Sequence, residues 1–435
     1  MPLVVFAGAH LGYDSQKVPI GGGATVGHAL VRRWVQTNPF DLLVLGTGPL
    51  SPEPRVAYQR IAVAEEGLLT DFSVSRYARM CREFERAVTD FLAHLAKEEN
   101  PKEVVVLHND IAEAGDFQSI AKMGYRQAAI FHVDVVDYTS RIYLKGLVSA
   151  ETLTRFWRGL EKTRLSFCAP DVLKLIFRKQ ELCARFCDRL IVPSTGMAEI
   201  LRRSYPWRSE RDVLVISWGA LEAEAEGAEE ALAKLRRRYA VGRRPVLLTL
   251  SRISPEKGQD LLLRALKFWD RRNKEEILLF ICGEAAFMHG QKYLRKLRKL
   301  AAGLKKTEVI FPGHVGGAMK YAFFRLADLY VFPSRHESYG LTMMEAMAAG
   351  LPVLTTNHRS AQDLVRPEFG LVVDPNPECI YFGLVRFLSD REELKAMGEE
   401  ARKFALARPF SKAADELALQ LFKLLKGAEA NQVRC

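Results

Sequence analysis

Short apolar runs recur along the whole chain, and many of them are followed by a segment whose apolar residues have helical spacing. Each run is almost continuously apolar, as expected for strands covered on both faces, whereas a half-exposed strand alternates. Strands that alternate with helices favour an α/β fold with doubly wound parallel sheets. The twelve runs are residues 3–9, 41–46, 103–108, 128–133, 189–194, 213–217, 245–250, 276–282, 309–311, 329–334, 352–356 and 371–374.

The number of predicted strands is too large for one sheet, because twisted open sheets rarely exceed ~10 strands. A chain of 435 residues also exceeds the usual size of a single core. The charged, Ala-rich segment after the sixth run is the best boundary, so we predict one domain over 1–216 and a second over 217–410. A polar helical stretch, 138–187, is expected to be an insertion over the cleft of the first domain. The last stretch, 411–435, predicts a helix that could pack on either domain and that we expect to cross back to the first.

The composition is that of an ordinary globular protein, with 48% apolar and 26% charged residues. No apolar run reaches the ~18 residues of a membrane span, and the short first run lacks a basic leader, so it predicts a buried strand rather than a signal peptide. The seven cysteines form no CxxC pair, and Cys183 and Cys187 are spaced to share a helix face. We therefore expect reduced thiols, a cytoplasmic location and no zinc site.

The net charge of +11 is unevenly placed: residues 1–216 contain 28 Lys and Arg against 25 Asp and Glu, whereas the remainder contains 35 against 27. Basic runs occur at 234–238 and 292–306. Such runs either form a solvated helix face or contact an anionic partner, such as a membrane surface or an acidic substrate. No zinc-finger, RNP or helix-turn-helix pattern is present, so a nucleic-acid partner is not expected.

Two features of the first half place special residues at the ends of predicted strands. The glycine-rich run 21–27 follows the first strand. Either its backbone amides contact a phosphate or sugar, or the run is a flexible turn. His108 and His132 each end a predicted strand and are followed two residues later by an aspartate. A strand-end histidine is often structural, but His132 could also donate a hydrogen bond to a substrate hydroxyl or act as an acid or base near neutral pH.

Two features of the second half combine charge with a helix start. In 249–266, a strand is followed by Arg252 and Lys257 and then by a helix. Two cations beside a helix N-terminus either bind a diphosphate or belong to an ordinary basic surface turn. In 333–353, Glu337 and Glu345 flank a turn that contains Gly340, and a helix is predicted from about 342 to 349. Thr342 and Glu345 also fit a capping box, which would give Glu345 a structural role; no helix requires Glu337.

Together these segments resemble the family-4 retaining glycosyltransferases of the GT-B fold. The resemblance covers most of the chain and is densest over 245–375, and its most specific part is the spacing of Glu337 and Glu345. It implies two Rossmann-like domains that face each other across a cleft. The matching motifs, in family order, are GGGATVG at 21–27, SRISPEKG at 251–258, ADLYVFPS at 327–334, PSRHESYGLTMMEAMAAGLPV at 333–353 and GLVVDP at 370–375.

The resemblance also implies roles for matching residues. Arg252 and Lys257 would hold the donor diphosphate and stabilise the leaving group, and Glu337 would bind hydroxyls of the donor sugar. Other positions would complete the donor site: Glu345 at the ribose; Gly340, Leu341 and Thr342 at the phosphates or sugar; Gly22 and Gly23 at the diphosphate; His132 near the reacting carbon; and His314 and Val315 beside the base.

The activity implied is transfer of a hexose-type sugar, with retention, from a nucleoside-diphosphate sugar to an acceptor hydroxyl. A UDP-linked donor is the commonest in the family, a donor phosphate oxygen takes the acceptor's proton, and we expect neither a metal nor another cofactor. The acceptor is open: a small molecule, a glycan or a lipid-linked molecule, the last reached by peripheral contact of the basic surface with the inner membrane face. Candidate acceptor contacts are Tyr138, Arg141 and Tyr143.

Two alternatives remain open from sequence. One is a UDP-sugar epimerase of the GT-B fold, and the other is a non-catalytic protein that binds nucleotide sugars. The chain also departs from the family at the expected junction of the domains, where Ser217-Trp218-Gly219-Ala220-Leu221 replaces a Pro-Asn-Gly-Val-Asp type of turn.

Overall fold

The apolar runs form two separate parallel β-sheets, which confirms the predicted α/β class with doubly wound sheets. A computed structural model describes residues 2–13, 21–64, 72–163, 165–222, 226–285 and 290–432. The described chain divides into two compact units: unit 1 contains Met1–Trp218 and Ser411–Cys435, and unit 2 contains Gly219–Phe410.

Unit 1 is built on a seven-stranded sheet with the strand order β3-β2-β1-β4-β5-β6-β7, all parallel. The strands are β1 (Leu3–Ala7), β2 (Asp41–Gly46), β3 (Ala57–Arg60), β4 (Val104–His108), β5 (Arg126–Ile130), β6 (Arg189–Val192) and β7 (Val213–Val215). The helices are α1 (Gly22–Thr37), α2 (Val74–Leu95), α3 (Phe117–Lys122), α4 (Val135–Tyr138), α5 (Ala150–Lys162), α6 (Asp171–Leu173), α7 (Lys179–Phe186) and α8 (Thr195–Ser204). Short 3-10 turns at Pro101–Glu103 and Leu165–Cys168 and π-turns at Thr139–Tyr143 and Lys174–Arg178 complete it.

Unit 2 is built on a six-stranded sheet with the order β10-β9-β8-β11-β12-β13, also all parallel. The strands are β8 (Val246–Leu250), β9 (Ile277–Cys282), β10 (Thr307–Gly313), β11 (Leu329–Phe332), β12 (Val353–Thr356) and β13 (Gly370–Val373). The helices are α9 (Ala228–Tyr239), α10 (Gln259–Arg272), α11 (Gly290–Ala301), α12 (Gly317–Leu326), α13 (Leu341–Ala348), α14 (Ala361–Leu364), α15 (Pro377–Leu388) and α16 (Arg391–Leu406), with a 3-10 turn at Pro255–Lys257.

The final helix, α17 (Phe410–Gln432), lies against α1 within unit 1. Arg33 donates two hydrogen bonds to the carboxylate of Asp415, at 2.9 and 2.6 Å. The buried Trp34 indole donates to the carbonyl oxygen of Ala414 at 3.0 Å. These contacts fasten the last part of the chain to the first helix.

The described residues form thirteen strands, so the prediction of twelve missed one, β3. This strand, AYQR, lies at the edge of the unit 1 sheet and is largely exposed, so its sequence carries no apolar run. Each sheet has a topological switch point, between β1 and β4 in unit 1 and between β8 and β11 in unit 2. Ligand sites in open parallel sheets lie at the carboxyl ends of the strands beside such points, so the loops after these four strands position the candidate sites.

Candidate functional site

The loop after β8 brings Lys257 to the switch point of unit 2. Gly258 follows it with φ +66°, and a Cβ on Gly258 would lie 1.9 Å from the carbonyl oxygen of Pro333. Only glycine permits this conformation together with so close an approach. Residues 255–258 therefore pack directly against the loop that follows β11, 333–340, which we call the β11–α13 loop.

Arg335 fastens these two loops together. Its backbone N–H donates to the carbonyl oxygen of Glu256 at 2.7 Å, and its guanidinium donates to the carbonyl oxygen of Pro255 at 2.7 Å. The same guanidinium donates to Asp260 at 2.8 Å, and Asp260 also accepts from Tyr293 and Lys296. Although burial opposes ionisation, Arg335, Lys296 and Tyr293 hold the pKa of Asp260 far below its usual range. This network makes the relative position of the two loops well defined.

The two loops meet in an ion pair between Lys257 and Glu337. The ammonium donates to Glu337 Oε2 at 2.6 Å, and only 13% and 16% of the two side chains are exposed. The Lys257 ammonium also lies 6.0 Å from the centre of the Phe332 ring. Burial alone would raise the pKa of Glu337, but Lys257, with smaller contributions from His358 and His336, lowers it below its ordinary value. Glu337 is therefore an ionised carboxylate in a largely dehydrated position.

Arg252, the other predicted cation, lies at the end of the same strand. Its guanidinium is 3.8 Å from Glu256 Oε1, which is a long and weak contact, and about two fifths of its side chain is exposed. Gln259 donates to the carbonyl oxygen of Arg252 at 2.9 Å and so holds the backbone there. The structure thus places Arg252 on the same loop as Lys257.

His358 is a buried residue of this region that the sequence analysis missed. It follows β12, lies edge-on to the Phe332 ring, and its two ring nitrogens lie 3.0 Å from Thr355 Oγ1 and 3.2 Å from Ser360 Oγ. Ser360 in turn donates to the carbonyl oxygen of Tyr339 at 2.6 Å. A single histidine in a loop gave no signal in the sequence, because its contact with Phe332 joins two strands that are separated along the chain.

The helix that follows the β11–α13 loop starts differently from the prediction. It begins at Leu341, its N-cap is Gly340 with φ +98°, and no side chain caps it. The predicted capping box is therefore wrong: Thr342 lies inside the helix, 2.8 Å from the Tyr330 hydroxyl. The Tyr330 hydroxyl also donates to the carbonyl oxygen of Leu250 at 3.0 Å, which ties this helix to the end of β8.

Glu345 contacts a lysine instead of the helix start. Lys320, on α12, donates to Glu345 Oε1 at 2.7 Å, and 32% of the lysine and 12% of the glutamate side chain are exposed. Lys320 was also missed from sequence. His314 and Val315 lie just before α12, with His314 exposed and Val315 partly buried. His314 and Val315 thus precede the helix that carries Lys320, and Lys320 contacts Glu345 on α13.

In unit 1 the glycine-rich run is not a loop. Gly22 and Gly23 are the first residues of α1, and Gly21 is its N-cap. The reason for glycine at 23 is steric, because a Cβ there would lie 2.7 Å from the ring of His132. Asn109, which the sequence analysis did not select, joins them: it donates to the carbonyl oxygen of Gly23 at 3.3 Å and lies 3.3 Å from His132 Nε2.

The two strand-end histidines differ in kind. His108 is fully buried, faces the Phe117 ring and bonds to Gln127 Oε1 at 3.2 Å, so it is a core residue. His132 is partly buried, and its ring lies 6.2 Å from that of Trp218. Burial lowers the pKa of His132 to about 4, against the opposing charge of Glu113. At neutral pH His132 is therefore uncharged, a form that can donate or accept a hydrogen bond.

A second polar cluster in unit 1 also escaped the sequence analysis. His10, after β1, lies 2.9 Å from Glu113, which follows β4, and Tyr77 donates to the same Glu113 oxygen at 2.9 Å. Burial and the nearby Glu113 raise the pKa of Asp110 to about 7. The cluster lies at the switch point of the unit 1 sheet, where β1 and β4 end.

The three candidate acceptor residues lie together at the end of α4 and in the π-turn that follows. The rings of Tyr138 and Tyr143 are 6.0 Å apart, edge to face, and Tyr143 is 56% exposed. Arg141 lies 3.5 Å from Asp137. The structure therefore brings these three residues to one place on unit 1.

No helix among the described residues is long and apolar enough to cross a membrane. In the same part of the chain, no group of three or more His, Cys, Asp or Glu side chains is arranged to hold a metal ion. Cys183 and Cys187 are free, with their sulfur atoms 3.7 Å apart.

Comparison with known proteins shows which proteins this chain resembles. Residues 233–404 match the family model for glycosyl transferases group 1. The chain is 36% identical over 210 residues to the GDP-mannose-dependent alpha-(1-6)-phosphatidylinositol monomannoside mannosyltransferase of Mycobacterium tuberculosis, covering 46% of this chain and 52% of that protein. It is 31% identical over 256 residues to the D-inositol 3-phosphate glycosyltransferase of Geodermatophilus obscurus, covering 57% of this chain and 55% of the relative. The chain thus spans about half the length of the curated relatives it matches.

Among solved structures, the sucrose-phosphate synthase of Thermosynechococcus elongatus superposes with a TM-score of 0.71, covering 98% of this chain and all of that one, at 18% identity. At that identity the likeness concerns the fold. The chain therefore has the GT-B fold, and its residues 233–404 match the group 1 glycosyl transferases.

Proposed function

We propose that this protein transfers a hexose-type sugar from a nucleoside-diphosphate sugar to an acceptor hydroxyl, with retention of the anomeric configuration. The observation that carries the proposal is the Lys257–Glu337 pair at the switch point of the unit 2 sheet, with Arg252 on the same loop. A fixed cation, a fixed carboxylate and a glycine-capped helix start meet where open parallel sheets bind ligands.

These residue types suit the chemistry of a leaving diphosphate. Breaking the bond between a sugar and a diphosphate develops negative charge on the diphosphate oxygens, which Lys257 and Arg252 would stabilise. The backbone amides at the start of α13, from Gly340 to Thr342, offer further donors and the positive end of the helix dipole. Glu337 would accept hydrogen bonds from the sugar hydroxyls while remaining paired with Lys257.

Glu345 and Lys320 would bind the nucleoside, with Glu345 accepting from the ribose hydroxyls and His314 and Val315 beside the base. The family resemblance favours a uridine donor, whereas the name of the mycobacterial relative specifies GDP-mannose. A thermal-shift screen of UDP- and GDP-linked sugars would decide between them, because a true donor stabilises the folded protein by mass action.

By the family resemblance, Gly22, Gly23 and His132 would also contact the donor. The neutral imidazole of His132 would donate a hydrogen bond near the reacting carbon, and a diphosphate oxygen would take the acceptor's proton. We propose that the transfer requires neither a metal ion nor another cofactor. Retention is testable by NMR of the anomeric proton in the first product formed; an inverted product would refute it.

The acceptor would contact Tyr138, Arg141 and Tyr143. One face of α11 is basic and exposed, with Lys292, Arg295, Arg298 and Lys299. This face would bind an anionic membrane, at which the protein would reach a lipid-linked acceptor. The cytoplasmic location stays a prediction. Sedimentation with vesicles that contain or lack anionic lipid would test the contact, which should weaken as salt is raised; equal binding to both kinds of vesicle would refute it.

Two other functions compete. A UDP-sugar epimerase would convert the donor without an acceptor, and a non-catalytic sugar-nucleotide sensor would bind it without turnover. Incubation with radiolabelled donors separates the three: transfer to an acceptor or to water supports our proposal, a changed sugar still attached to UDP supports the epimerase, and binding alone supports the sensor.

A further inference from the structure

The chain crosses between the two compact units twice, between residues 218 and 219 and between residues 410 and 411. On the unit 2 side, the two crossing segments pair with each other. The Ala220 N–H donates to the carbonyl oxygen of Arg408, and the Phe410 N–H donates to the carbonyl oxygen of Ala220, both at 2.8 Å. We call residues 219–220 and 408–410 the crossover.

Gly219 is the point at which the crossover is tightest. Its φ is +73°, and a Cβ there would lie 2.2 Å from the carbonyl oxygen of Arg408. Its backbone N–H donates to the Tyr339 hydroxyl at 2.6 Å, in a buried contact. The crossover is thus bonded directly to the β11–α13 loop, 120 residues away along the chain.

Tyr339 is held at both ends. While its hydroxyl bonds to Gly219, its carbonyl oxygen accepts a hydrogen bond from Ser360 at 2.6 Å, and only 4% of the residue is exposed. Glu337 is two residues before it and Gly340 follows it. A displacement of Glu337 therefore has only two peptide units in which to be absorbed before it reaches Tyr339.

We infer that Tyr339 is a positioning residue that couples the β11–α13 loop to the crossover, so that a change at Glu337 alters the hydrogen bonding of Gly219. The meaning of this coupling for catalysis rests on the proposed donor site, because donor contact with Glu337 would then reach the segments that join the two units. The coupling itself is a property of the chain without any ligand.

The hydroxyl group of Tyr339 carries the coupling. An aromatic ring alone would fill the same buried space, but it offers no acceptor to the Gly219 N–H. Tyr339→Phe therefore removes one oxygen atom and leaves the packing in place, which makes it the matched substitution. The buried N–H that loses its acceptor should exchange faster in this variant from the outset.

A double-mutant cycle in the ligand-free protein tests the coupling. Hydrogen–deuterium exchange would be measured on a peptide covering 217–222 in the wild type, Glu337→Gln, Tyr339→Phe and the double variant. We expect Glu337→Gln to speed exchange about fivefold when Tyr339 is present and by less than about twofold in the Tyr339→Phe background, the size of coupling usual within one network. Equal acceleration in both backgrounds, or none in either, would overturn the inference.

A second variant guards against a general loss of structure. Lys257→Met breaks the same ion pair from the other side and should show the same dependence on Tyr339. Because Lys257→Met also destabilises unit 2, exchange in β10 of the same unit is the reference, and its acceleration should not depend on Tyr339. If β10 shows the same dependence on Tyr339 as 217–222, the effect is general destabilisation of unit 2 and the coupling is refuted.

Addition of a UDP-linked or GDP-linked hexose separates this inference from the proposed function, because the hexose is the part of the donor that would contact Glu337. In the wild type, the donor that binds should slow exchange both in 251–258 and in 217–222; in Tyr339→Phe it should slow only 251–258. Slowing of 217–222 to the same extent in both proteins would refute the coupling. If no donor protects 251–258, the proposed donor site fails, and the ligand-free cycle still decides whether the coupling exists.

Discussion

Lys257→Met should destabilise unit 2 more than an ion pair usually would. The pair with Glu337 is 2.6 Å long, and the side chains are only 13% and 16% exposed. Removal of one member of a buried pair costs about 3–5 kcal/mol, because the other charge is left without a partner. Since this pair retains some exposure, we expect the loss to lie at the lower end, about 3 kcal/mol at pH 7.

The loss should depend on pH in a defined direction. The pKa of Glu337 is lowered in the folded protein, so the pair stabilises unit 2 fully above the ordinary carboxyl pKa of about 4.3 and less as the pH falls through the lowered folded value. In Lys257→Met the burial remains without the cation, and burial raises the pKa of Glu337. Acidification then protonates the unpaired carboxylate, so the deficit of the variant should shrink to less than half between pH 7 and pH 4.

Urea unfolding read from hydrogen exchange in β8 reports on unit 2 alone and avoids treating two units as one transition. Lys395→Met is the matched control, because its pair with Glu392, at 2.8 Å, is largely exposed and should contribute below about 1 kcal/mol. A loss in Lys257→Met no larger than in this control, or one that does not shrink at pH 4, would refute the reasoning.

Three further substitutions or titrations test other parts of the structure. Gly258→Ala should cost at least about 2 kcal/mol in the same unfolding experiment, because it adds a clash with Pro333 to an unfavourable φ. Gly242→Ala has φ +61° but no neighbouring atom closer than 3.9 Å to the added Cβ, so it should cost about 1 kcal/mol; equal losses would contradict the steric argument. Lys320→Met should raise the donor KM about tenfold with kcat little changed, whereas Arg325→Met on the same helix should change neither; an effect confined to kcat would contradict a binding role. The His132 imidazole should remain neutral by NMR from pH 6 to 8 and titrate near 4, and a titration near 6.5 would contradict its burial.

The fold was largely predictable because its strands are buried on both faces. A continuous apolar run such as 277–282 has few alternatives once helical segments flank it. The edge strand β3 was not predictable in this way, since AYQR carries no apolar pattern and is a strand only because β2 offers it a pairing edge.

The sequence motifs identified the residues of the candidate site, but they did not predict which side chains pair with each other. The motif around Lys257 and Glu337 suggested a site at each loop, but the ion pair between them depends on the approach of Gly258 to Pro333, which joins residues about 75 apart. Glu345 matched a capping box by spacing alone, yet Gly340 begins the helix and Lys320 takes the carboxylate. Local patterns do not report such tertiary partners.

The most direct measurement is transfer of labelled sugar from a panel of UDP- and GDP-linked hexoses by the wild type and by Glu337→Gln. We predict release of nucleoside diphosphate with sugar passed to an acceptor or to water by the wild type, and a fall of at least about 100-fold in the variant, which should keep its fold. Donor binding without any turnover by the wild type, or full turnover by Glu337→Gln, would contradict the proposed role of this site.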